Sequence, residues 1–170
     1  MHYTKDGRKI AVRKVARREL GSMVEHWQSL ADEGRYIATE QVSPEQKAKW
    51  ERSLGDPDVL WARAEVDGRL AGSLSLGRYG NLKKTKHVGE LGMGVAKEFR
   101  GTGVGSALMD YAVKWAKRKK LKKIALSVFS TSRVAIRLYE KFGFVREGVR
   151  IGQFVIEGEY VDEVMMGRAL

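Results

Sequence analysis

Cysteine is absent from the 170-residue chain, which removes disulfide staples, thiolate nucleophiles and cysteine-ligated zinc or iron–sulfur centres together. An acyl-enzyme on sulfur is excluded, and the absence suits a reducing, cytoplasmic setting. Proline is nearly as scarce, at 2 residues; no proline-rich linker divides the sequence, and no internal repeat is visible. One domain over residues 1–170 is the expectation, long enough to bury a core unaided. No apolar run approaches the roughly 18 residues that span a bilayer, and the opening MHYTKDGRKI has no signal-like segment, so no membrane partner is expected. Acidic residues are outnumbered: 32 Lys and Arg against 21 Asp and Glu leave a net charge of +11. That balance favours polyanionic partners, phosphate groups or nucleic acid, without choosing between them.

What is present reads as alternating strands and helices. Ile10 to Val15 is a β-rich run, and Leu20, Met23, Val24, Trp27 and Leu30 form one helical stripe. Ser43, Pro44 and Gln46 give the cap, first-turn proline and capping-box partner of a short second helix ending near Gly55. Asp67-Gly68 predicts a two-residue hairpin between Val59–Val66 and Leu70–Leu76. After a polar loop, Gly80 to Lys86, the spacing predicts a strand over His87–Val95, the glycine-rich RGTGVG of Arg100 to Gly105, and a helix to about Lys119. A strand over Ile124–Phe129 and a helix from Arg133 to Phe142, stopped by Gly143, come next. Two final strands, Phe144–Phe154 and Tyr160–Met166, join around Glu157-Gly158. The fold class is therefore mixed α/β (α+β), with about seven strands in a mixed sheet flanked by about four helices.

A glycine-rich turn entering a helix presents unpaired amides and the positive end of the helix dipole, a site for an anion. A Walker A loop fails here, because Gly105 is followed by Ser106 and Ala107 with no lysine. A dinucleotide fingerprint is a near miss: Ser106 stands where the third glycine belongs, and the strand ending near Phe129 lacks the ribose-binding acid. The run MGVAKEFRGTGVGSALMDYAVKWA instead resembles the signature of the GNAT superfamily of acetyl-CoA-dependent N-acetyltransferases, whose cofactor loop reads Gln/Arg-x-x-Gly-x-Gly/Ala; Arg100, Gly103 and Gly105 match. VFSTSRVAIRLYEKFGF is similar to the family's second motif through Ala135, Leu138, Tyr139, Gly143 and Phe144, with Ser132 at the usual Asn position.

The resemblance implies a twisted, mostly antiparallel sheet and a soluble, cytoplasmic N-acetyltransferase using acetyl-CoA and no metal. Coenzyme A would sit on Arg100, Gly101, Thr102, Gly103, Val104, Gly105 and Ser106. Its pantetheine arm would pair with Met93, Gly94 and Val95 like an added strand, with Ser132 and Lys141 as further contacts. Gly92 and Gly94 permit a close approach of backbone. Amide formation needs a neutral amine, a stabilised oxyanion and a protonated leaving thiolate. By the family's pattern Glu90 is the base, directly or through water, with His87 its competitor; Tyr139 is the acid and the Val95 amide the oxyanion donor. Each also has a plain reading, Glu90 as a solvent-facing or ion-paired strand residue and Tyr139 as core.

The acceptor, a small amine or a protein or peptide amine, is not legible, although Trp27, Tyr36, Glu40, Trp50, Phe154, Tyr160 and Asp162 lie where the family binds it. The run KWAKRKKLKK, Lys114 to Lys123, reads either as a solvated helix end or as a docking patch for nucleic acid or an acidic protein. The alternative to catalysis is a CoA-binding or basic nucleic-acid-associated module on the same scaffold. A homodimer through the C-terminal strand edge is the remaining expectation.

Overall fold

Central strands buried on both faces, and helices that each turn one stripe toward them, organise the computed structural model, which describes all 170 residues. The chain runs β1 (His2–Tyr3), β2 (Lys9–Lys14), α1 (Leu20–Asp32), α2 (Pro44–Ser53), β3 (Leu60–Val66), β4 (Arg69–Arg78) and β5 (Val88–Val95). It continues through α3 (Val104–Arg118), β6 (Lys123–Phe129), α4 (Arg133–Lys141), β7 (Val145–Ile156) and β8 (Glu159–Ala169). One eight-stranded sheet results, in the order β1-β2-β3-β4-β5-β6-β8-β7. Only β5 and β6 run parallel. The strand beyond the expected seven is β1, whose two residues pair with Lys9 and Ile10. It is too short for alternation to mark it.

Local chemistry explains the turns. Asp67 and Gly68 take φ of 51° and 74°, closing the β3–β4 hairpin, and Glu157 and Gly158 do the same for β7–β8 at 53° and 84°. Ser43 Oγ accepts the Gln46 amide at 3.1 Å, starting α2 at Pro44.

Each face of the sheet has its own helices. Along β4, Leu74 and Leu76 join the core built on α3 and α4. Gly77 faces the opposite way, toward Val59, while Gly92 of β5 looks onto Trp27 of α1. On that second face Val15, Met23, Trp27, Leu30 and Trp61 form a smaller core. Trp50 stands between Trp27 and Trp61, with ring centroids 6.2 and 5.3 Å away.

The β5–β6 pairing is short. It covers Val88–Glu90 against Lys123–Ala125, yet β5 continues to Val95 and β6 to Phe129. Beyond Glu90 and Ala125 the two strands part, opening a wedge toward the loop before α3.

The start of α1 is pinned electrostatically. Glu19 receives the Arg13 guanidinium at 2.6 and 2.8 Å, the buried Arg63 at 3.0 Å and the Ala16 amide at 2.8 Å. Hydrogen bonding from Arg13, then the Ala16 amide and the charges of Arg63 and Arg13, bring its carboxyl from an ordinary 4.5 to about 2. A depressed carboxylate stabilises the fold above its unfolded pKa and loses that contribution as pH falls toward the folded value. Glu19→Gln should therefore lower stability to urea at pH 7 by about 1–3 kcal/mol, with the deficit shrinking as pH falls through 4.5 toward 2. A deficit that stays constant across that range would disprove the linkage.

Candidate active site

The loop that opens α3 is built from residues that leave backbone donors free. Gly101 and Gly103 have φ of 72° and 111°, where an L side chain is strained. Thr102 is held from behind: its hydroxyl donates to the Phe99 carbonyl at 2.6 Å and its carbonyl accepts from the Lys5 amide at 3.1 Å. The first amide of this stretch with a backbone acceptor is that of Ala107, on the Gly103 carbonyl. The six N–H groups of Gly101, Thr102, Gly103, Val104, Gly105 and Ser106 donate to no protein group. They lie at the positive end of a 15-residue helix. Gly105 also lets α4 approach, since a Cβ there would stand 2.9 Å from Leu138 Cδ2.

Arg100 is committed elsewhere. Its Nη1 donates to Glu33 at the end of α1 at 2.8 Å, its Nε donates to the Val95 carbonyl at 3.0 Å, and its guanidinium lies 4.4 Å from the Tyr36 ring centroid. The bonds to Glu33 raise the guanidinium's pKa and lower that of the carboxyl. Thus Arg100 serves the loop by bracing it, while the backbone of the following residues supplies the donors.

Strand register gives the second set of free groups. Gly72 pairs with Val95 and Leu74 with Met93, while the Ala96 amide bonds the Ala71 carbonyl. Because antiparallel pairs alternate between bonded and non-bonded, Met93 and Val95 turn their N–H groups away from β4, into the wedge beside β6. Gly94 is buried under α1, where a Cβ would overlap the Leu30 side chain.

Across the wedge lies α4. Tyr139 is 6% exposed, packs on Phe144 with ring centroids 5.9 Å apart, and its hydroxyl makes no hydrogen bond to protein. Burial pushes the phenol up to about 12, so it carries its proton at any working pH. Ser132 precedes α4, yet its Oγ caps nothing and is buried without a partner. Lys141, one turn past Leu138, is exposed and free of ion pairs. Glu90 is exposed on the α1 side of β5 and binds no protein group. His87 sits at the far end: its carbonyl takes the Lys122 amide at 2.9 Å, and eight strand residues, roughly 26 Å at 3.3 Å each, separate it from Val95.

Of the residues on the acceptor side, Trp27 and Trp50 belong to the second core. Tyr36 covers Arg100, Phe154 packs on Phe129 at 4.8 Å, and Asp162 accepts the Gly152 amide at 2.8 Å. Glu40 and Tyr160 are exposed. Arg35 and Glu157 join the segment after α1 to the β7–β8 turn at 2.7 Å. Two polar groups escaped the sequence reading. His26 Nε2 and Ser73 Oγ are buried without partners, His26 close to Gly94 and Ser73 paired with it across the strands. Burial holds the imidazole below its ordinary value, and so neutral. The available signal was a histidine on the apolar stripe of α1, between Met23 and Leu30.

The free donors fit coenzyme A: amides clustered at a helix start suit a diphosphate, and an open strand edge with a buried orphan hydroxyl opposite suits an amide-bearing arm. The sequence profile of the acetyltransferase (GNAT) family matches residues 22–144. The L-amino acid N-acetyltransferase AaaT of Escherichia coli strain K12 is 31% identical over 135 residues, 78% of this chain and 83% of that protein. The streptothricin acetyltransferase of Escherichia coli is 28% identical over 81% of this chain and 76% of its own length. A GNAT superfamily phosphinothricin acetyltransferase from Sinorhizobium meliloti, solved in complex with acetyl-CoA, shares the fold with a TM-score of 0.83 at 20% identity, over 95% of this chain and 88% of that one.

Gly103→Ala forces a left-handed φ on an L residue, at about 1–2 kcal/mol. Titration calorimetry should find CoA affinity reduced about tenfold or more. A Kd within twofold of the parent's would separate the loop's conformation from cofactor binding.

Proposed function

The chain belongs to the GNAT acetyltransferase family, and from that premise we propose how its own residues divide the work of an acetyl-CoA-dependent N-acetyltransferase and which amines it accepts. The observation that carries the reading is the run of six uncommitted N–H groups from Gly101 to Ser106 at the head of α3. Those amides hold the diphosphate, the Met93 and Val95 edge pairs with the pantetheine arm, and Ser132 Oγ supplies a further hydrogen bond. Lys141 meets an outer phosphate. When bound, the cosubstrate supplies an activated acetyl thioester.

The chain supplies the rest. Glu90 takes the proton from the ammonium of the acceptor. Five residues of strand, roughly 16 Å at 3.3 Å each, separate it from Val95, so the proton reaches it along a chain of several waters. The N–H of Val95, facing the wedge, stabilises negative charge on the thioester oxygen as the amine attacks. Tyr139, protonated because it is buried, donates to the departing sulfur. With no cysteine in the chain, attack by the amine is direct.

The acceptor we propose is the amino group of a small amino-acid-like molecule. Support comes from the 31% identical relative named for L-amino acids. An acceptor screen following thiol release from acetyl-CoA tests this: turnover with free amino acids is expected, and turnover confined to protein or peptide amines would replace the assignment.

Two variants test the division of roles. Tyr139→Phe should lower kcat about 100-fold or more with little change in KM for acetyl-CoA, as loss of a general acid does. Glu90→Gln should lower kcat comparably and flatten the acidic limb of the pH profile. Parental kcat and pH dependence in both variants would dismiss the pair while leaving cofactor binding intact.

A further inference from the structure

The end of the sheet away from the cofactor loop carries a second site. The β4–β5 connection and the turn between α3 and β6 come together there, because the His87 carbonyl accepts both the Lys122 and the Lys123 amides, at 2.9 and 3.3 Å. Asp58 ties the two segments again by binding Arg78 from one and Lys119 from the other. Between them lies a cleft of about 400 Å³ with Trp115, Leu121 and Leu82 among its lining residues. Leu82 is 70% exposed. Lys83 and Lys86 line the cleft, and Lys84, Arg118, Lys120 and Lys122 lie beside its lining residues on the same two segments; all six are exposed and none is in an ion pair. Of the acids at this end, Asp58 is used by Arg78 and Lys119 and Glu147 by Lys123, while Asp56 accepts the Asp58 amide and forms no ion pair.

We propose that this cleft is a docking site for single-stranded nucleic acid, with unstacked bases against the exposed Leu82 and the half-buried Leu121 at its rim and the phosphate backbone along the six free cations. Charge complementarity selects the partner. Six uncompensated cations on two adjoining segments are far more than one phosphate group can engage, so a polymer fits where a mononucleotide does not. Exposed aliphatic side chains beside the cations favour bases that are free to make apolar contact over a duplex, whose bases face each other, and over a polyanion without bases. The site lies at the opposite end of β5 from the loop opening α3, so its occupation is independent of acetyl transfer.

Binding of a fluorescent 20-residue oligouridylate to the intact protein tests the proposal. Micromolar affinity at low salt is expected, with log K falling by about 0.7 for each phosphate contact per tenfold rise in salt. The triple variant Lys83→Gln, Lys84→Gln, Lys86→Gln should lose tenfold or more and about 2 from that slope, with acetylation of a small amine unchanged. Leu82→Ser should weaken binding severalfold at an unchanged slope. Three charges removed from α2 instead, Lys47→Gln, Lys49→Gln and Arg52→Gln, control for bulk charge and should cost less than the cleft variant. An equal loss there, equal affinity for uridine monophosphate, tighter binding of a duplex of matched charge, or preferential binding of polyglutamate would each overturn the assignment.

Discussion

Everything at the site depends on β5 and β6 not zipping shut. Parallel pairing begins at Val88 and stops at Glu90, although both strands run on, and an open edge between neighbouring strands is costly because backbone donors and acceptors want partners. Arg100 resolves half of this conflict. Its Nε gives the Val95 carbonyl the hydrogen bond that β6 would otherwise supply, and Glu33 and Tyr36 fix the guanidinium from the side of α1. The N–H groups of Met93 and Val95 stay unspent. An arginine at this place in the motif thus acts as a wedge, and the glycine loop just after it inherits its position from the same clamp.

Two kinds of positive potential occupy opposite ends of the molecule, and they differ in origin. At the head of α3 the field comes from oriented amides, with Arg100 neutralised by Glu33; it is local, fixed and shaped for one anion. At the foot of α3 it comes from lysines and arginines on flexible stems, spread over a surface and subject to screening by salt. The net charge of +11 therefore says little about cofactor binding. Its density at the foot of the sheet is a separate matter from the chemistry at the head.

Much of the fold was legible because its signals are local. Asp67-Gly68, the Ser43-Pro44 cap, Gly143 after α4 and the loop from Arg100 to Gly105 each fix a backbone conformation through the residue itself, and the elements between them follow by period. What the sequence could not disclose depends on distant partners. The pairing of β1 rests on two residues meeting β2, and no pattern that short carries information. The last two strands run further than their apolar alternation, β7 to Ile156 and β8 to Ala169, because β7 is an edge whose outward residues answer to solvent rather than to a core. At the site, the identity of the glycine loop was readable but the role of the Arg100 side chain was not: its partner Glu33 is 67 residues away. His26 is the instructive omission, a polar residue on an apolar stripe whose meaning emerges only when β5 is placed against it.

Unsatisfied groups mark where folding and function part. Ser132 Oγ, Ser73 Oγ and His26 Nε2 are buried without partners, as are Trp27 Nε1 and Arg63 Nε, at a cost of about 1–3 kcal/mol for each such group. A chain selected for stability alone would replace the two serines and the histidine with apolar residues of similar size. Ser132 precedes α4, while Ser73 pairs with Gly94 on the α1 face of the sheet, where His26 also lies near Gly94. The Tyr139 hydroxyl is likewise unbonded to protein, and burial of the residue holds its proton. The packing that raises its pKa also fixes the ring, and both follow from its contact with Phe144 in the core that α3 and α4 share.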